Sequence, residues 1–437
     1  MPPAEPVAVI GAGLAGCLLA TLLGRRGLSV TVYERRADPR VTGAERGRSI
    51  NLAVSARGLA ALEQVGLAEQ ALGRALPMRG RMVHPKGGAA GLQSYSADGR
   101  RSINSISRAE LNAALLDTAE QTPGVTLRFE HRLRGLAAAT GQLTFETPAG
   151  ERAEQAAVVL ACDGAYSAAR LALAKGFGCD LQAPAHGYKE LTVPARDGEF
   201  ALDPGALHIW PRTSSMMIAL PNVDRSFTCT LFWPKTGPGG LDSLTTPEQI
   251  TAHFRAEYPD VADLMPSLVE DYQRNPVSSL VTVRCWPWVQ GRVALVGDAA
   301  HAILPFFGQG ANCGFEDCIE IDRCLDEAGG DWDRALSTYQ QRRKANTDAI
   351  AALSEENFVE MRDKVSSRWF QLKSRAEHAL ERHSGGRYVS RYELVSFSTL
   401  PYAEIAGRMR RQRLVLLGAA GAVAVGVVAL CGALRPV

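Results

Sequence analysis

The chain has 437 residues, of which 46% are hydrophobic and 22% are charged. This balance is that of a folded protein and excludes disordered and low-complexity classes. Its 48 Lys and Arg residues exceed its 46 Asp and Glu residues by only two, so we expect no nucleic-acid partner. Nine cysteines without a CxxC pair favour reduced, buried thiols, and the dispersed histidines show no metal-site spacing.

The N-terminal residues predict a βαβ unit that binds a dinucleotide. Residues 7–10 form an apolar run typical of a buried strand, and 29–33 alternate as a second strand. Between them, three glycines at GxGxxG spacing open a helix that could hold a pyrophosphate: Gly11, Gly13 and Gly16. Glu34 ends the second strand, where it would accept hydrogen bonds from ribose and repel a 2′-phosphate. We therefore expect FAD or NAD; the alternative is a glycine-rich turn in an α/β core.

The middle of the chain has a different pattern from its ends. Segments rich in β-branched and aromatic residues predict antiparallel strands at 206–212, 216–222 and 227–233. Residues 292–297 return to a buried strand, and 310–412 are mostly helical by periodicity. The sequence thus predicts a β-rich part inserted into an α/β protein.

The C-terminal segment predicts a membrane anchor. Residues 414–434 contain 21 residues without a charge, and four arginines precede them at positions 408–413. About 20 helical residues cross a ~30 Å hydrocarbon core. The excess of arginine on the N-terminal side predicts that the bulk of the protein faces the cytoplasm. The alternative is a buried C-terminal helix.

Two further motifs narrow the cofactor. The first is 294–317 (ALVGDAAHAILPFFGQGANCGFED), in which a strand ends at Asp298 and a helix begins near Gly310. The second is 158–170 (VVLACDGAYSAAR), which contains Asp163. Together with the N-terminal glycines, they resemble the motifs of single-component FAD aromatic hydroxylases. The resemblance implies FAD bound by these cofactor-binding residues: Gly11, Gly13, Gly16, Glu34, Arg36, Arg108, Asp163, Asp298, Gly310, Ala311 and Asn312. No second GxGxxG appears, so we expect NADPH to bind transiently, without its own Rossmann domain.

Three titratable residues near the second motif have structural interpretations. We expect His301 to be structural, because no Ser or Cys nucleophile can be placed beside it. Glu316 and Asp317 are expected in the first turn of the following helix, where the helix dipole favours acids.

Several segments in the same order resemble the kynurenine 3-monooxygenase family over nearly the whole chain: 33–40, 47–53, 78–84, 105–112, 186–191, 207–212, 219–228, 356–361 and 391–404. The resemblance implies an α/β fold: a Rossmann-like FAD-binding domain, a β-sheet substrate domain, a helical C-terminal region and a transmembrane helix. Its expected parts are the FAD-binding domain (1–180 and 291–330), the substrate domain (181–290), the helical region (331–413) and the anchor (414–434).

The resemblance also implies a site for L-kynurenine. It assigns four residues to the polar end, where a guanidinium and hydroxyl or amide donors suit a carboxylate: Arg81, Tyr95, Asn357 and Tyr392. It assigns six to apolar walls around the ring: Leu207, Met216, Ile218, Phe232, Pro305 and Phe306. No dedicated catalytic side chain is expected, since the flavin performs the chemistry. Ala311 departs from the family, which has Met at this position, and Phe307 is at a position that varies among members. We expect both residues to affect kinetics.

The expected function is hydroxylation of L-kynurenine to 3-hydroxykynurenine with NADPH and oxygen, through a flavin hydroperoxide. Two alternatives remain: a related FAD monooxygenase acting on another aromatic or lipid substrate, and a membrane-tethered flavoprotein without enzymatic activity. A lipid bilayer is an expected partner, and an oligomer is compatible with the sequence. The anchor would place the protein in the mitochondrial outer membrane of a eukaryote or the inner membrane of a bacterium.

Overall fold

The computed structural model describes residues 5–42, 51–173, 178–237, 239–364 and 368–433; the side chains of 363–371, of 374 and from 419 onward are outside this description. The strands are β1 (Val7–Ile10), β2 (Val30–Tyr33), β3 (Asn51–Val54), β4 (Leu76–Met78), β5 (Gly80–Val83), β6 (Gly91–Ser94), β7 (Ile103–Ser107), β8 (Val125–Arg128), β9 (Arg132–Ala137), β10 (Gln142–Thr147), β11 (Gly150–Gln155), β12 (Val158–Ala161), β13 (Gly178–Gln182), β14 (His186–Val193), β15 (Ala206–Arg212), β16 (Ser215–Pro221), β17 (Phe227–Pro234), β18 (Ser278–Ser279), β19 (Thr282–Trp286), β20 (Val289–Gln290) and β21 (Val293–Leu295). The helices are α1 (Leu14–Arg25), α2 (Pro39–Thr42), α3 (Ala56–Gln64), α4 (Ala68–Gly73), α5 (Arg108–Gln121), α6 (Ala168–Leu173), α7 (Pro247–Glu257), α8 (Pro259–Ala262), α9 (Leu268–Arg274), α10 (Asp298–His301), α11 (Gly310–Glu327), α12 (Trp332–Val359), α13 (Arg368–His383), α14 (Arg391–Phe397) and α15 (Tyr402–Ala433).

The first sheet is the dinucleotide-binding core that the N-terminal pattern predicts. Its strands lie in the order β20-β21-β12-β1-β2-β8, and all neighbours except β20 and β21 are parallel. Strands β1 and β12 are buried along their whole length, which explains their uninterrupted apolar runs. Chain order reverses on either side of β1, and ligands of such sheets bind beyond the carboxyl ends of the strands at this point.

The second sheet carries the predicted antiparallel strands. Its order is β18-β14-β17-β16-β15-β5-β6, and β15, β16 and β17 are antiparallel neighbours, as their composition predicted. Strands β5 and β6 also join this sheet, although they belong to the segment 1–180 assigned to the FAD-binding domain. Strand β5 pairs in parallel with β15 across more than a hundred residues, and no local pattern reveals such a pairing.

Helices of the C-terminal third cover the first sheet and meet the second. Helix α12 packs along α11, and α15 packs on α12, so the predicted helical character of 310–412 is largely confirmed. Residues 414–433 of the predicted anchor form the second part of α15, but most of their side chains are outside the description, as is residue 434. Within the part of the chain that the structure describes, no helix is long and apolar enough to cross a membrane.

A hydrogen-bond chain runs from buried His208 on the second sheet, through His84, to the exposed Asp260. His208 Nε2 donates to the carbonyl oxygen of Asp203 at 2.9 Å, and its Nδ1 lies 2.9 Å from His84 Nε2. His84 Nδ1 in turn lies 2.5 Å from a carboxylate oxygen of Asp260. Because His208 uses its one proton on Asp203, its Nδ1 accepts a hydrogen bond from His84 Nε2.

This chain predicts acid sensitivity of folding. Burial lowers the pKa of His208 to about 4, whereas an unfolded histidine titrates near ~6.5. Neutral His208 therefore stabilises the folded state above pH ~6.5, and this stabilisation is lost as the pH falls toward 4. The free energy of unfolding should decrease by about 2 kcal/mol between pH 7 and pH 5. In urea unfolding at the two pH values, His208→Gln should lose this part of the pH dependence. The exposed His383→Gln should retain it; equal pH dependence in both variants would contradict the assignment.

Candidate active site

The glycines of the first loop fit the close approach of backbone and cofactor. Gly11, directly after β1, has φ +101°, and a Cβ there would lie 2.6 Å from the carbonyl oxygen of Cys162. A Cβ on Gly16 would lie 2.0 Å from the carbonyl oxygen of Gly11. Gly13 has open space around its Cβ position. Gly11 and Gly16 thus permit the turn itself, and Gly13 borders the space that a pyrophosphate would fill.

Glu34 closes this loop from the end of β2. One carboxylate oxygen accepts a hydrogen bond from the backbone N–H of Ala12 at 3.0 Å. The other accepts from the backbone N–H and the Nε of Arg36, at 3.1 Å and 2.8 Å. The structure therefore brings both predicted residues to the glycine loop and shows that Glu34 fixes the loop conformation.

Two buried acceptors beside this loop fit a hydroxyl-rich cofactor. Asn112 donates to the carbonyl oxygen of Ala12, and one oxygen of Asp163 accepts from the backbone N–H of Ala169. The second oxygens of both side chains, Oδ1, are buried without a partner among the described residues. Burial raises the pKa of Asp163. Ribose and ribityl hydroxyls are donors of the kind that such orphaned oxygens require, so the residues fit FAD.

Asn112 is a site residue that the sequence analysis missed. It lies one helical turn after Arg108, which is exposed at the start of α5. Its segment, 105–112, was recognised only as part of the family resemblance. The i, i+4 spacing that places both residues on one face of α5 is the signal that could have identified it.

The second cofactor segment is held firmly at its helix start. Asp298 is exposed as the first residue of α10, and Gly310, the first residue of α11, has open space at its Cβ position. Asn312 donates to the carbonyl oxygens of Ala53 and Gly308 at 2.9 Å and 2.7 Å. Its side chain is thus committed to the loop, whereas the free N–H groups of this first helical turn, including that of the partly buried Ala311, suit an anionic partner.

A buried carboxylate joins the elements under this segment. Asp317 accepts from the backbone N–H of Gly297 at 2.9 Å, from His301 Nε2 at 2.5 Å and from Arg343 Nε at 2.6 Å. Burial opposes the charge of Asp317 and that of His301. Even so, His301 and Arg343 lower the pKa of Asp317, and Asp317 raises the pKa of His301 to about 10. His301 is therefore a charged residue that joins structural elements, as predicted. The reason given for that prediction was wrong, because Cys313 lies beside His301.

The expectation for Glu316 and Asp317 was wrong in its physical reason. Helix α11 begins at Gly310, so both acids lie in its second turn, beyond the free N–H groups. Glu316 instead bridges Arg57 and Arg343, at 2.5 Å and 3.1 Å. Specific ion pairs, and not the helix dipole, hold the two carboxylates.

A cavity of about 500 Å³ lies beside the cofactor loop. All four residues predicted for the polar end of the substrate site line it: Arg81, Tyr95, Asn357 and Tyr392. Phe307, one of the expected kinetic determinants, lines it as well. The cavity has the size of an ordinary small-molecule site.

Arg81 is a buried cation in the wall of this cavity, which it shares with the carboxylate of Glu360. Its guanidinium carbon lies 4.5 Å from the ring centroid of Tyr392 and 5.8 Å from that of Tyr95, and the two rings stack at 4.5 Å. Arg81 Nε and the Tyr95 hydroxyl are buried without a partner among the described residues. Burial opposes the charge, yet the two tyrosines raise the pKa of Arg81. Such a group calls for a ligand carboxylate.

The predicted apolar walls form one cluster next to the cavity. Met216, Phe232 and Phe306 belong to it, and Leu207 and Ile218 pack against it. Pro305 is exposed at the start of a short 3₁₀ helix, Pro305–Phe307. None of these six is among the cavity-lining residues. Asn357 links the two regions, because its side-chain amide donates to the carbonyl oxygen of Phe306 at 2.6 Å.

The fold and the glycine loop define a class, and comparison with known proteins agrees. Residues 4–354 match the family described as "FAD binding domain", so the chain belongs to that family. The solved structure of tetrameric 2-methyl-3-hydroxypyridine-5-carboxylic acid oxygenase has a TM-score of 0.69, at 22% identity over 85% of this chain and 96% of that one. PqsL of Pseudomonas aeruginosa has a TM-score of 0.68, at 22% identity over 82% and 97%. These likenesses establish the fold.

Curated relatives define the family more narrowly. Kynurenine 3-monooxygenase of Myxococcus xanthus is 48% identical over 91% of this chain and 87% of its own length. The enzyme of the same name from Dictyostelium discoideum is 43% identical over 91% and 89%, and that of Sus scrofa is 40% identical over 94% and 88%. The chain belongs to the kynurenine 3-monooxygenase family and is an FAD-dependent monooxygenase.

The glycine loop predicts that two neighbouring substitutions act differently. Gly16→Ala places a Cβ against the Gly11 carbonyl and should destabilise even the apoprotein, by about 2 kcal/mol. Gly13→Ala meets no protein atom, so it should leave apoprotein stability nearly unchanged and weaken FAD binding at least about tenfold. Thermal unfolding of the apoproteins and FAD fluorescence titration separate the two effects. Unchanged FAD affinity in Gly13→Ala would argue against a pyrophosphate at this loop.

Proposed function

We propose that this protein hydroxylates L-kynurenine at ring carbon 3, consuming NADPH and oxygen and releasing NADP⁺ and water. The observation that carries the substrate assignment is the buried Arg81, which lies between two tyrosines in a cavity beside the cofactor loop and has no hydrogen-bond partner for its Nε among the described residues. The substrate carboxylate would accept from this Nε and from the Tyr95 hydroxyl.

The side chains of this site hold the substrate and leave the redox chemistry to the cofactor. Bound FAD accepts a hydride from NADPH and activates oxygen. The aniline nitrogen of L-kynurenine donates electron density to the ortho carbon, so the reaction needs no strong protein base. Arg81 and the tyrosines fix the amino-acid tail. The apolar cluster around Phe306 lies outside the cavity lining but is joined to it by Asn357, and it would exclude water from a ring held at that end.

The N-terminus of α11 supports the reduced cofactor electrostatically. Its first N–H groups, at residues 310–312, precede the first intrahelical hydrogen bond and would face the flavin ring when FAD is bound. A reduced flavin carries negative charge near its pyrimidine edge, and a helix N-terminus stabilises such charge. The buried Asp317 holds this helix start in place through Gly297 and His301.

The proposed reaction is tested directly with the FAD-loaded protein. NADPH oxidation should rise strongly on adding L-kynurenine, with 3-hydroxykynurenine formed in near one-to-one ratio to NADPH consumed. Bound FAD without a response to L-kynurenine would overturn the substrate assignment and favour another aromatic or lipid substrate.

Arg81→Gln should raise the KM for L-kynurenine about 100-fold while FAD stays bound, because a charge-assisted carboxylate contact is lost from a buried site. The matched control is the decarboxylated analogue of L-kynurenine, which cannot use Arg81. Wild type and variant should bind this analogue with similar affinity in equilibrium titrations. A variant that binds L-kynurenine as the wild type does would refute the assigned role.

We further propose that 414–434 anchors the protein in a bilayer, with the catalytic part on the cytoplasmic side. Support comes from the length of this uncharged segment and from the arginines before it. This membrane would be the mitochondrial outer membrane in a eukaryotic cell or the inner membrane in a bacterial one.

Truncation after Arg413 should release the protein from membranes. The full chain should float with liposomes in a density gradient and resist extraction by high salt. The truncated chain should remain at the bottom. Flotation of both forms would place the membrane contact elsewhere.

A further inference from the structure

We propose that Tyr402, the first residue of α15, is a positioning residue for the cofactor loop, acting through Gln309. The inference rests on the proposed FAD site and assigns to the C-terminal helix a defined contact with the residue that precedes α11. Neither Tyr402 nor Gln309 was singled out by the sequence analysis, and neither lines the cavity.

Gln309 is held at three points. Its side-chain oxygen accepts from the Tyr402 hydroxyl at 2.8 Å and, more weakly, from the Ser55 hydroxyl at 3.4 Å. Its amide nitrogen donates to the carbonyl oxygen of Phe307 at 3.3 Å. Gln309, Ser55 and Tyr402 are all buried. The Tyr402 contact is therefore the short one, and no bulk water is available to replace it.

Tyr402 itself is fixed from the opposite side. The Arg57 guanidinium carbon lies 3.9 Å from the centroid of its ring. Arg57 is held by Glu316 and by the carbonyl oxygen of Leu400, two residues before the helix. Burial raises the pKa of Tyr402 well above its usual value, so the hydroxyl keeps its proton and remains a donor.

These contacts converge on the backbone that precedes α11. Gln309 stands between Phe307, which lines the substrate cavity, and Gly310, where the cofactor-facing helix starts. A Gln309 side chain without its short hydrogen bond has only the 3.4 Å contact to Ser55 for its oxygen. Loss of the Tyr402 hydroxyl should thus loosen the loop that would hold the flavin, while every residue that lines the substrate cavity is retained.

The test compares two buried tyrosine hydroxyls. In Tyr402→Phe, the FAD dissociation constant of the apoprotein should rise roughly threefold to tenfold, the equivalent of one neutral hydrogen bond. The control is Tyr258→Phe, whose buried hydroxyl lies 3.0 Å from that of Ser215 in the second sheet's own core. It should cost comparable thermal stability and leave FAD affinity unchanged. Equal FAD affinity in Tyr402→Phe and wild type would overturn the proposal.

A second measurement on the holoenzyme excludes a purely structural effect. With saturating L-kynurenine, Tyr402→Phe should divert a larger fraction of NADPH oxidation to hydrogen peroxide, while the KM for L-kynurenine changes less than twofold. Gln309→Met should have the same effect, and the double variant should be no worse than the single ones. Additive effects of the two substitutions would refute a shared contact. If the wild type fails to hydroxylate L-kynurenine, the FAD affinities still decide the role of Tyr402.

Discussion

A carboxylate without access to water, Asp317, is the constraint on which the cofactor side of the protein depends. Its two oxygens are satisfied by the backbone N–H of Gly297, which precedes α10, by His301 at the end of α10 and by Arg343 of α12. Removing one partner from such a buried set typically costs about 3–5 kcal/mol. The end of the first sheet, α10, α11 and α12 are therefore fixed relative to one another before any ligand binds.

The buried charge in the cavity beside this network is arranged differently from the paired charges under α11. The charges under α11 form ion pairs with one another, whereas Arg81 is surrounded by two tyrosine rings and shares its cavity with Glu360. One group of buried charges thus stabilises the fold, and Arg81, whose Nε has no partner among the described residues, remains available to a ligand. Stacking by Tyr95 and Tyr392 keeps the guanidinium oriented without neutralising it. This division allows a carboxylate to be selected without weakening the scaffold.

The sequence predicted what short-range patterns determine and missed what distant residues determine. The strands at 7–10 and 206–233 follow from apolar runs and β-branched residues, and the glycine loop from its spacing. The pairing of β5 with β15 and the contacts of Asp317 with residues 20 and 26 positions away have no local signature. Arg81 alone would be taken for a surface ion-pair former; only the family resemblance pointed to its role. Tyr402 lies in the resembling segment 391–404 but had no signal of its own.

Helix α15 has two very different ends. It starts at Tyr402, against the cofactor loop, and its 32 residues run into the uncharged segment at 414–434. A helix of that length spans about 48 Å as a stiff rod. If its far half lies in lipid, a change in bilayer thickness or in the tilt of the helix displaces its first turn. The partition of reducing equivalents between product and peroxide then becomes a property of the surrounding lipid, and detergent-solubilised preparations would differ among themselves for that reason.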